Sequence, residues 1–338
     1  MQAKALICDA QQRFAIQAVS LKALAADEVL IRTVYSGVSI GTEFALIRNK
    51  ISWGPYPLCT GYMATGVIEA VGADIDDLRK GDSVYCRGNN TNVMMLADGT
   101  KVSCVSGAHA SHIVAKPHTT HGVAKLPEGV PMDIGSMFVM PAVALYGVDM
   151  ANPRMGESVV VFGTGLIGLG VVAACAHRGC EVIAVDLNAG RLAVASAMGA
   201  DHVIDGSTED VVAAVHRIAP EGADVVFEST GIPACIDQAI PLCRTHGKYV
   251  WQGNYGADPV SFHFLVPHGK RLQMFFPCDD GLQPCRRAVL KNMAMGALDW
   301  ERTISHRVIY AEAPAMYERI NAGDLGVLGM VIRWDQNA

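Results

Sequence analysis

The apolar positions of the chain fall into two textures, and the change between them comes near residue 130. Up to about residue 125, apolar runs of strand length are separated by glycine, proline and acidic clusters, the pattern of a β-rich domain. Ala3 to Cys8, Phe14 to Val19, Glu28 to Tyr35, Thr65 to Gly72 and Gly81 to Tyr85 are predicted strands. Two further runs, Val93 to Leu96 and Lys101 to Val105, flank Asp98 and Gly99, a pair that favours a hairpin turn. Met94 and Met95 read as gap-filling core residues of that region.

From Asp133 onward the texture changes. Ile134 to Met150 reads as an apolar helix. Predicted strands at Ser158–Phe162, Glu181–Val185, His202–Ile204, Asp224–Glu228, Lys248–Gln252 and Arg271–Phe276 then alternate with helical stretches, the signature of a doubly wound parallel sheet. After Trp300 the chain turns strand-like again, over Thr303–Tyr310 and Gly329–Trp334, with a helix near Pro314–Ala322. The predicted class is therefore α/β. A β-rich domain over residues 1–130 is completed by 300–338, and residues 131–299 form a doubly wound domain inserted in it. A cleft between two such domains is a usual place for a cofactor and substrate.

The chemistry starts at the valine-rich strand Ser158–Phe162. It runs into Gly163, Thr164, Gly165, Leu166, Ile167 and Gly168, and from there into an apolar helix ending near His177. Strand, glycine turn and helix together give the G-x-G-x-x-G pattern its meaning. Gly163 permits the tight turn, Gly165 lets a pyrophosphate approach the backbone, and Gly168 lets the helix pack on the strand. The phosphates are expected at the helix N-terminus, where N–H groups and the dipole favour negative charge. Asp186 ends the next predicted strand, placed to hydrogen-bond the adenosine ribose and to repel a 2′-phosphate, so NAD is the expected cofactor. Ser229, Thr230 and Gly231 end one later strand, and Gln252, Gly253 and Asn254 end another; both groups are expected to hold the cofactor, because such ligands bind at the strands' carboxyl ends.

Composition narrows the partners. The 338 residues are half hydrophobic with a net charge of −6, which supports neither nucleic acid nor an anionic membrane as partner. No apolar run is long enough to span a bilayer, and the N-terminus enters strand-like sequence without a signal-peptide layout. A soluble, cytoplasmic protein acting on a small molecule is expected. The ten cysteines include no C-x-x-C and read as buried thiols. His112, His118 and His121 fit no standard metal-site spacing.

Six segments give the chain a resemblance to the medium-chain dehydrogenase/reductase superfamily: Gly37–Glu43, Thr65–Gly72, Lys80–Val84, the glycine motif with Asp186, Glu228–Gly231 and Ser305–Arg307. The resemblance spans nearly all of the chain and implies a GroES-like catalytic domain around a Rossmann domain. Ser36–Glu43, Tyr62 and Gly107–His109 look like the subgroup that includes bacteriochlorophyllide dehydrogenase, although the insertion from Cys86 to Cys104 departs from it. The zinc members of the superfamily carry three ligands that this sequence lacks. Ser39 or Ile40 stands in the cysteine segment, Gly61-Tyr62-Met63 replaces G-H-E, and Met140 precedes Pro141 where glutamate or cysteine is usual. A catalytic zinc needs three protein N, O or S ligands. The cysteines of a structural zinc lobe are also missing between Cys86 and Cys104. A zinc-independent member is expected.

The resemblance then implies that side chains move the proton. It places Tyr62 in the pocket, Thr42 as the relay hydroxyl, Glu43 as the adjacent acid and His109 on the substrate side. Tyr62 could polarise a carbonyl or relay a proton if its pKa is lowered, and His109 is the other candidate to carry the proton. The expected activity is hydride transfer between NAD and a hydroxyl or keto group of a small organic substrate. Alternatives are an NAD(P)H-dependent quinone or double-bond reductase, an epimerase or lyase using bound NAD for transient oxidation, and an NAD-sensing protein. Pairing through the apolar strand Arg271–Phe276 would make a homodimer, or a homotetramer of dimers.

Overall fold

A computed structural model describes residues 1–88, 94–104 and 107–335. The chain divides into two compact units, one of residues 1–138 with 290–338 and the other of residues 139–289.

The first unit opens with β1 (Gln2–Cys8), β2 (Phe14–Leu21), β3 (Val29–Val38) and α1 (Ile40–Ile47). There follow β4 (Leu58–Cys59), β5 (Ala64–Val71), β6 (Ser83–Cys86), β7 (Met94–Leu96), β8 (Ser103–Cys104), β9 (His112–Ala115), β10 (Val123–Lys125) and α2 (Met132–Gly135). The turn at Asp98-Gly99 forms as expected. Gly99 takes a positive φ, Asp98 accepts the Thr100 N–H at 2.9 Å, and Met95 pairs antiparallel with Lys101. The second arm then leaves the hairpin, because β8 pairs parallel with β4. Val93 and Val105 lie outside the described residues. Met94 is core, packed with Ala5, Ile7 and Val19, whereas Met95 points outward and lines no core.

The second unit runs through α3 (Val139–Ala151), β11 (Ser158–Phe162), α4 (Leu166–His177), β12 (Glu181–Asp186), α5 (Ala189–Ala197), β13 (His202–Asp205), α6 (Val211–Ile218), β14 (Ala223–Glu228), α7 (Pro233–Ala239), β15 (Cys243–Trp251), α8 (Leu265–Lys270) and β16 (Gln273–Phe275). All six strands are parallel, in the order β13-β12-β11-β14-β15-β16. That is the Rossmann order, which reverses direction beside the first strand and so opens a crevice at its carboxyl end. Val159, Val160 and Val161 of β11 are fully buried, as a central strand covered on both faces requires.

The expected helix over 134–150 is two helices. Pro141 has no N–H to offer the carbonyl of Met137, so one helix cannot run through that turn. The ladder breaks at Ser136–Phe138 and restarts at Val139, leaving Pro141 in a first turn that tolerates it. The edge strand is also shorter than expected, because Arg271 sits at φ +53° as the left-handed cap of α8.

The chain leaves the second unit within α9 (Leu282–Ala294) and ends with β17 (Ile304–Ile309), α10 (Ala313–Asn321) and β18 (Gly329–Arg333). β18 pairs antiparallel with β3, so the tail is built into the sheet β10-β6-β5-β3-β18-β17, in which β9 also pairs with β3. A second sheet, β7-β2-β1-β4-β8, completes the first unit. The apolar core holding α1 and α10 gathers Leu6, Phe14, Phe44, Ile47, Tyr317 and Trp334. No helix among the described residues is long and apolar enough to cross a membrane. Eight cysteines are buried as expected, Cys235 is half-buried, and Cys278 is exposed.

Candidate active site

In the second unit the carboxyl ends of β11, β12, β14 and β15 carry the residues expected to hold a dinucleotide. Gly163 turns at φ +94°, and Gly165 begins α4 without any side-chain cap. The two outer glycines have no room for a side chain. A Cβ on Gly168 would lie 1.9 Å from the carbonyl oxygen of Gly163, and one on Gly163 would lie 2.7 Å from Thr230. A Cβ on Gly165 would meet nothing within 4 Å. The middle glycine is thus not demanded by packing, and the open backbone beside it fits a pyrophosphate at a helix N-terminus. Leu166 is buried and Ile167 half-buried, so they serve the packing of α4.

Asp186 has more work here than its expected role. Its Oδ2 accepts the Thr164 N–H at 2.7 Å and the Thr164 hydroxyl at 2.9 Å, while Oδ1 accepts the N–H groups of Leu187 and Asn188. One carboxylate therefore ties the glycine turn to the loop after β12. Asn188 in turn caps α5 through the Arg191 N–H, and the Nε of Arg191 is buried without a partner. Arg191 was not singled out from the sequence; the available signal was a cation in the first turn of the helix after Asp186. Ser229 Oγ, at the end of β14, is a second buried polar atom without a partner. Orphaned polar atoms of this kind are rare and call for an occupant.

Thr230 does not offer its side chain to a ligand. Its N–H and hydroxyl both go to Oε1 of Glu228, and that hydroxyl also accepts the Ile232 N–H. Glu228, fully buried, takes the Tyr255 hydroxyl on its other oxygen and is the residue that organises this edge. Gly231 and Gly253 touch: a Cβ on Gly253 would lie 2.4 Å from the Gly231 nitrogen, and one on Gly231 2.5 Å from the Asn254 carbonyl oxygen. Asn254 itself is exposed and accepts the Gly256 N–H.

In the first unit, β3 delivers Ser39 to the start of α1, and the turn between β4 and β5 presents Tyr62. The two hydroxyls are 2.5 Å apart, with Thr42 Oγ1 at 3.5 Å from the phenol. Gly61 takes φ +84° and has the His109 ring against it, so a Cβ there would lie 2.7 Å from the ring. The Arg87 guanidinium lies 5.2 Å from the centre of the Tyr62 ring. Burial pushes the Tyr62 phenol above its ordinary value, against the hydrogen bonds of Ser39 and Thr42 and the charge of Arg87. The lowering on which a relay role was conditional is not found. Tyr62 is a neutral phenol, able to donate its proton.

His109 is also corrected. It was expected to line the substrate pocket, but its ring is fully buried. Nδ1 is 2.8 Å from Ser36 Oγ, which also accepts the Trp334 indole N–H, and Nε2 is 2.9 Å from Glu43 Oε2. Glu43 is equally inaccessible. It accepts the Ser39 N–H at 2.8 Å, the Thr60 hydroxyl at 2.8 Å and the Tyr317 hydroxyl at 2.7 Å. Burial alone would raise its carboxyl, but His109 and these hydrogen bonds outweigh burial and hold it below the ordinary carboxylate range. Two of the four residues expected in catalysis are therefore a buried polar post beneath the other two. Tyr317, Thr60 and Ser36 complete it and were not found from the sequence, where nothing distinguishes them from ordinary core and strand residues.

Residues 25–128 match the alcohol dehydrogenase GroES-like domain, and residues 167–294 match the zinc-binding dehydrogenase domain. The chain belongs to the zinc-type alcohol dehydrogenase family. D-xylulose reductase A of Aspergillus niger is 27% identical over 285 residues, covering 79% of this chain and 78% of the relative. A structure from Sinorhizobium meliloti solved bound to NADP has a TM-score of 0.86 at 22% identity, covering 98% of this chain and 99% of that one. An alcohol dehydrogenase of Escherichia coli CFT073, solved with NADH, gives 0.84 at 18% identity with the same coverage. The family's zinc does not fit the residues found here. Ser39 and Tyr62 hydrogen-bond each other, Met63 and Met140 offer thioethers, and zinc sites are built from thiolate, imidazole and carboxylate. Among the described residues no three His, Cys, Asp or Glu side chains group so as to hold a metal.

Proposed function

We propose that this member of the zinc-type alcohol dehydrogenase family is a zinc-independent oxidoreductase. It transfers a hydride between NAD and a hydroxyl or keto group of a small organic substrate. The observation that carries this reading is the Tyr62–Ser39 hydroxyl pair, 2.5 Å apart, in the segments where zinc relatives hold their metal. When bound, the dinucleotide supplies or accepts the hydride. In reduction Tyr62 gives its proton to the carbonyl oxygen and regains one from water by way of half-buried Thr42; in oxidation it first loses its proton along that route and takes the hydroxyl proton as the phenolate. Glu43 and His109 position the pair from beneath. The D-xylulose reductase relative makes polyols and ketoses the first substrates to assay, with NAD and NADH, across xylitol, D-sorbitol, D-arabitol, 2,3-butanediol and benzyl alcohol.

NAD is proposed over NADP on the strength of Asp186, an acid at the end of β12, which would accept from a ribose hydroxyl and repel a 2′-phosphate. The holding residues would be Gly163, Gly165, Asp186, Arg191, Ser229 and Gly253. Asp186→Ser is expected to lower NADH affinity about tenfold, the scale of losing a hydrogen bond to a charged group, and to erode the preference for NADH. Gly165→Ala should leave stability unchanged, because the added methyl group meets nothing, yet weaken dinucleotide binding. Fluorescence titrations check both; wild-type protein binding NADPH more tightly than NADH would contradict the assignment.

Association as a homodimer, or a homotetramer of dimers, is proposed on the edge strand β16 and the exposed Phe264, Leu265 and Phe276 of the same unit. Light scattering at micromolar concentration should return at least twice the chain mass of 35.9 kDa, and a monomer there would count against it.

A further inference from the structure

Ser39 is the N-cap of α1, yet its hydroxyl caps nothing. A serine in that position ordinarily turns its oxygen onto an N–H of the first helical turn, because four such groups lack partners there. Here the helix start is fastened another way. Glu43 reaches back from within α1, and its Oε1 accepts the Ser39 N–H at 2.8 Å. That bond satisfies the N–H of Ser39 itself, whereas a serine cap would take N–H groups further into the first turn, and the serine hydroxyl stands apart from both. Ser39 is 4% exposed, and Tyr62 is the one hydrogen-bond partner of its hydroxyl among the described residues. A hydroxyl carries one proton and two acceptor sites. While Ser39 accepts from Tyr62, its own proton is therefore uncommitted.

We propose that Ser39 is a positioning residue for proton transfer, a hydrogen-bond partner that reverses direction as Tyr62 gives up its proton. The inference rests on the reading of Tyr62 given above. At rest Tyr62 donates to Ser39. In reduction the hydride from the dihydronicotinamide forms the new C–H bond, and the Tyr62 Oη–H bond breaks as its proton passes to the carbonyl oxygen. Ser39 Oγ–H then rotates to donate to the phenolate oxygen, holding its charge until water returns the proton. Oxidation runs the same exchange backwards, with the substrate's hydroxyl proton ending on Tyr62. Tyr62 lies in a buried setting where a phenolate lacking a donor is costly, and Ser39 is the donor in place. Thr42, at 3.5 Å, makes the longer and weaker contact, so Ser39 is the better-placed partner for the charge.

The device separates two effects that an ordinary N-cap joins. Ser39→Ala removes no cap but does take the near acceptor from Tyr62, so its melting temperature should fall only by the few degrees that one lost hydrogen bond costs, while turnover on the best compound of the polyol and alcohol panel falls at least tenfold. Ser39→Thr, which keeps the hydroxyl, should recover most of that loss. A readout without substrate is the resonance of Tyr62 in protein labelled with 13C at the tyrosine Cζ, identified by its absence in Tyr62→Phe. Ser39→Ala should move that resonance and shift its titration to higher pH. Turnover within twofold of wild type in Ser39→Ala, with Tyr62→Phe impaired, would overturn this inference and leave the proposed function standing. Full turnover in Tyr62→Phe would overturn both. A melting temperature lowered well beyond those few degrees, in step with turnover, in Ser39→Ala, or a Tyr62 resonance that does not move, would reduce Ser39 to a structural residue and also overturn it.

Discussion

Tyr62→Phe is expected to lower turnover about a hundredfold or more, the usual scale for losing a general acid or base, while dinucleotide affinity stays at the wild-type value. The expectation follows from where the hydroxyl sits. Tyr62 is buried enough to stay a neutral phenol, and within reach of two further hydroxyls, Ser39 at 2.5 Å and Thr42 at 3.5 Å. The ring packs under Arg87 and remains in place in the variant, so only the proton is removed. Affinity should be unaffected because the residues proposed to hold the dinucleotide belong to the other compact unit. Steady-state kinetics with a fluorescence titration of NADH check both halves. A variant retaining more than a third of wild-type turnover would show that Tyr62 is not the proton donor.

Glu43→Ala is expected to destabilise the protein by about 3–5 kcal/mol, the range for removing one partner of a buried ionic network. Four donors lose their acceptor together: the Ser39 N–H and the side chains of Thr60, Tyr317 and His109. The pH dependence has a defined sign. Glu43 is held below its ordinary value in the folded chain, so its contribution is complete above the unfolded carboxylate value of about 4.3. It fades as pH falls through the lower folded value. The stability gap between wild type and variant should therefore be full at pH 7 and shrink below about pH 4. Urea denaturation across pH 3–8 measures it. A gap below 1 kcal/mol at pH 7, or one that does not narrow in acid, would mean that the carboxylate is not the anchor of α1.

The sequence carried most of the architecture because strands buried on both faces and glycine turns leave local marks. Val159–Val161, the spacing of Gly163, Gly165 and Gly168, and Asp186 at a strand end needed no tertiary information. The expected helix over 134–150 ran through a break that Pro141 imposes, a mark that was present and that apolar periodicity overrode. The site was legible in part. Tyr62 and Thr42 were found through segments that resemble a family, but burial separates a pocket histidine from a core histidine, and sequence does not report burial. His109 and Glu43 meet Tyr317 across more than 200 residues of chain, and only the folded unit brings α10 under α1. Ser39 was noticed as a missing metal ligand. Its hydroxyl turns to Tyr62 and not to the first turn of α1, a tertiary contact that sequence does not report.

If side chains and no zinc move the proton, the metal content of the purified protein will show it. Protein purified without chelator should carry far less than one zinc per chain by elemental analysis, and prolonged dialysis against EDTA should leave its turnover unchanged. Stoichiometric zinc, with activity lost on chelation and restored by adding zinc back, would contradict the account.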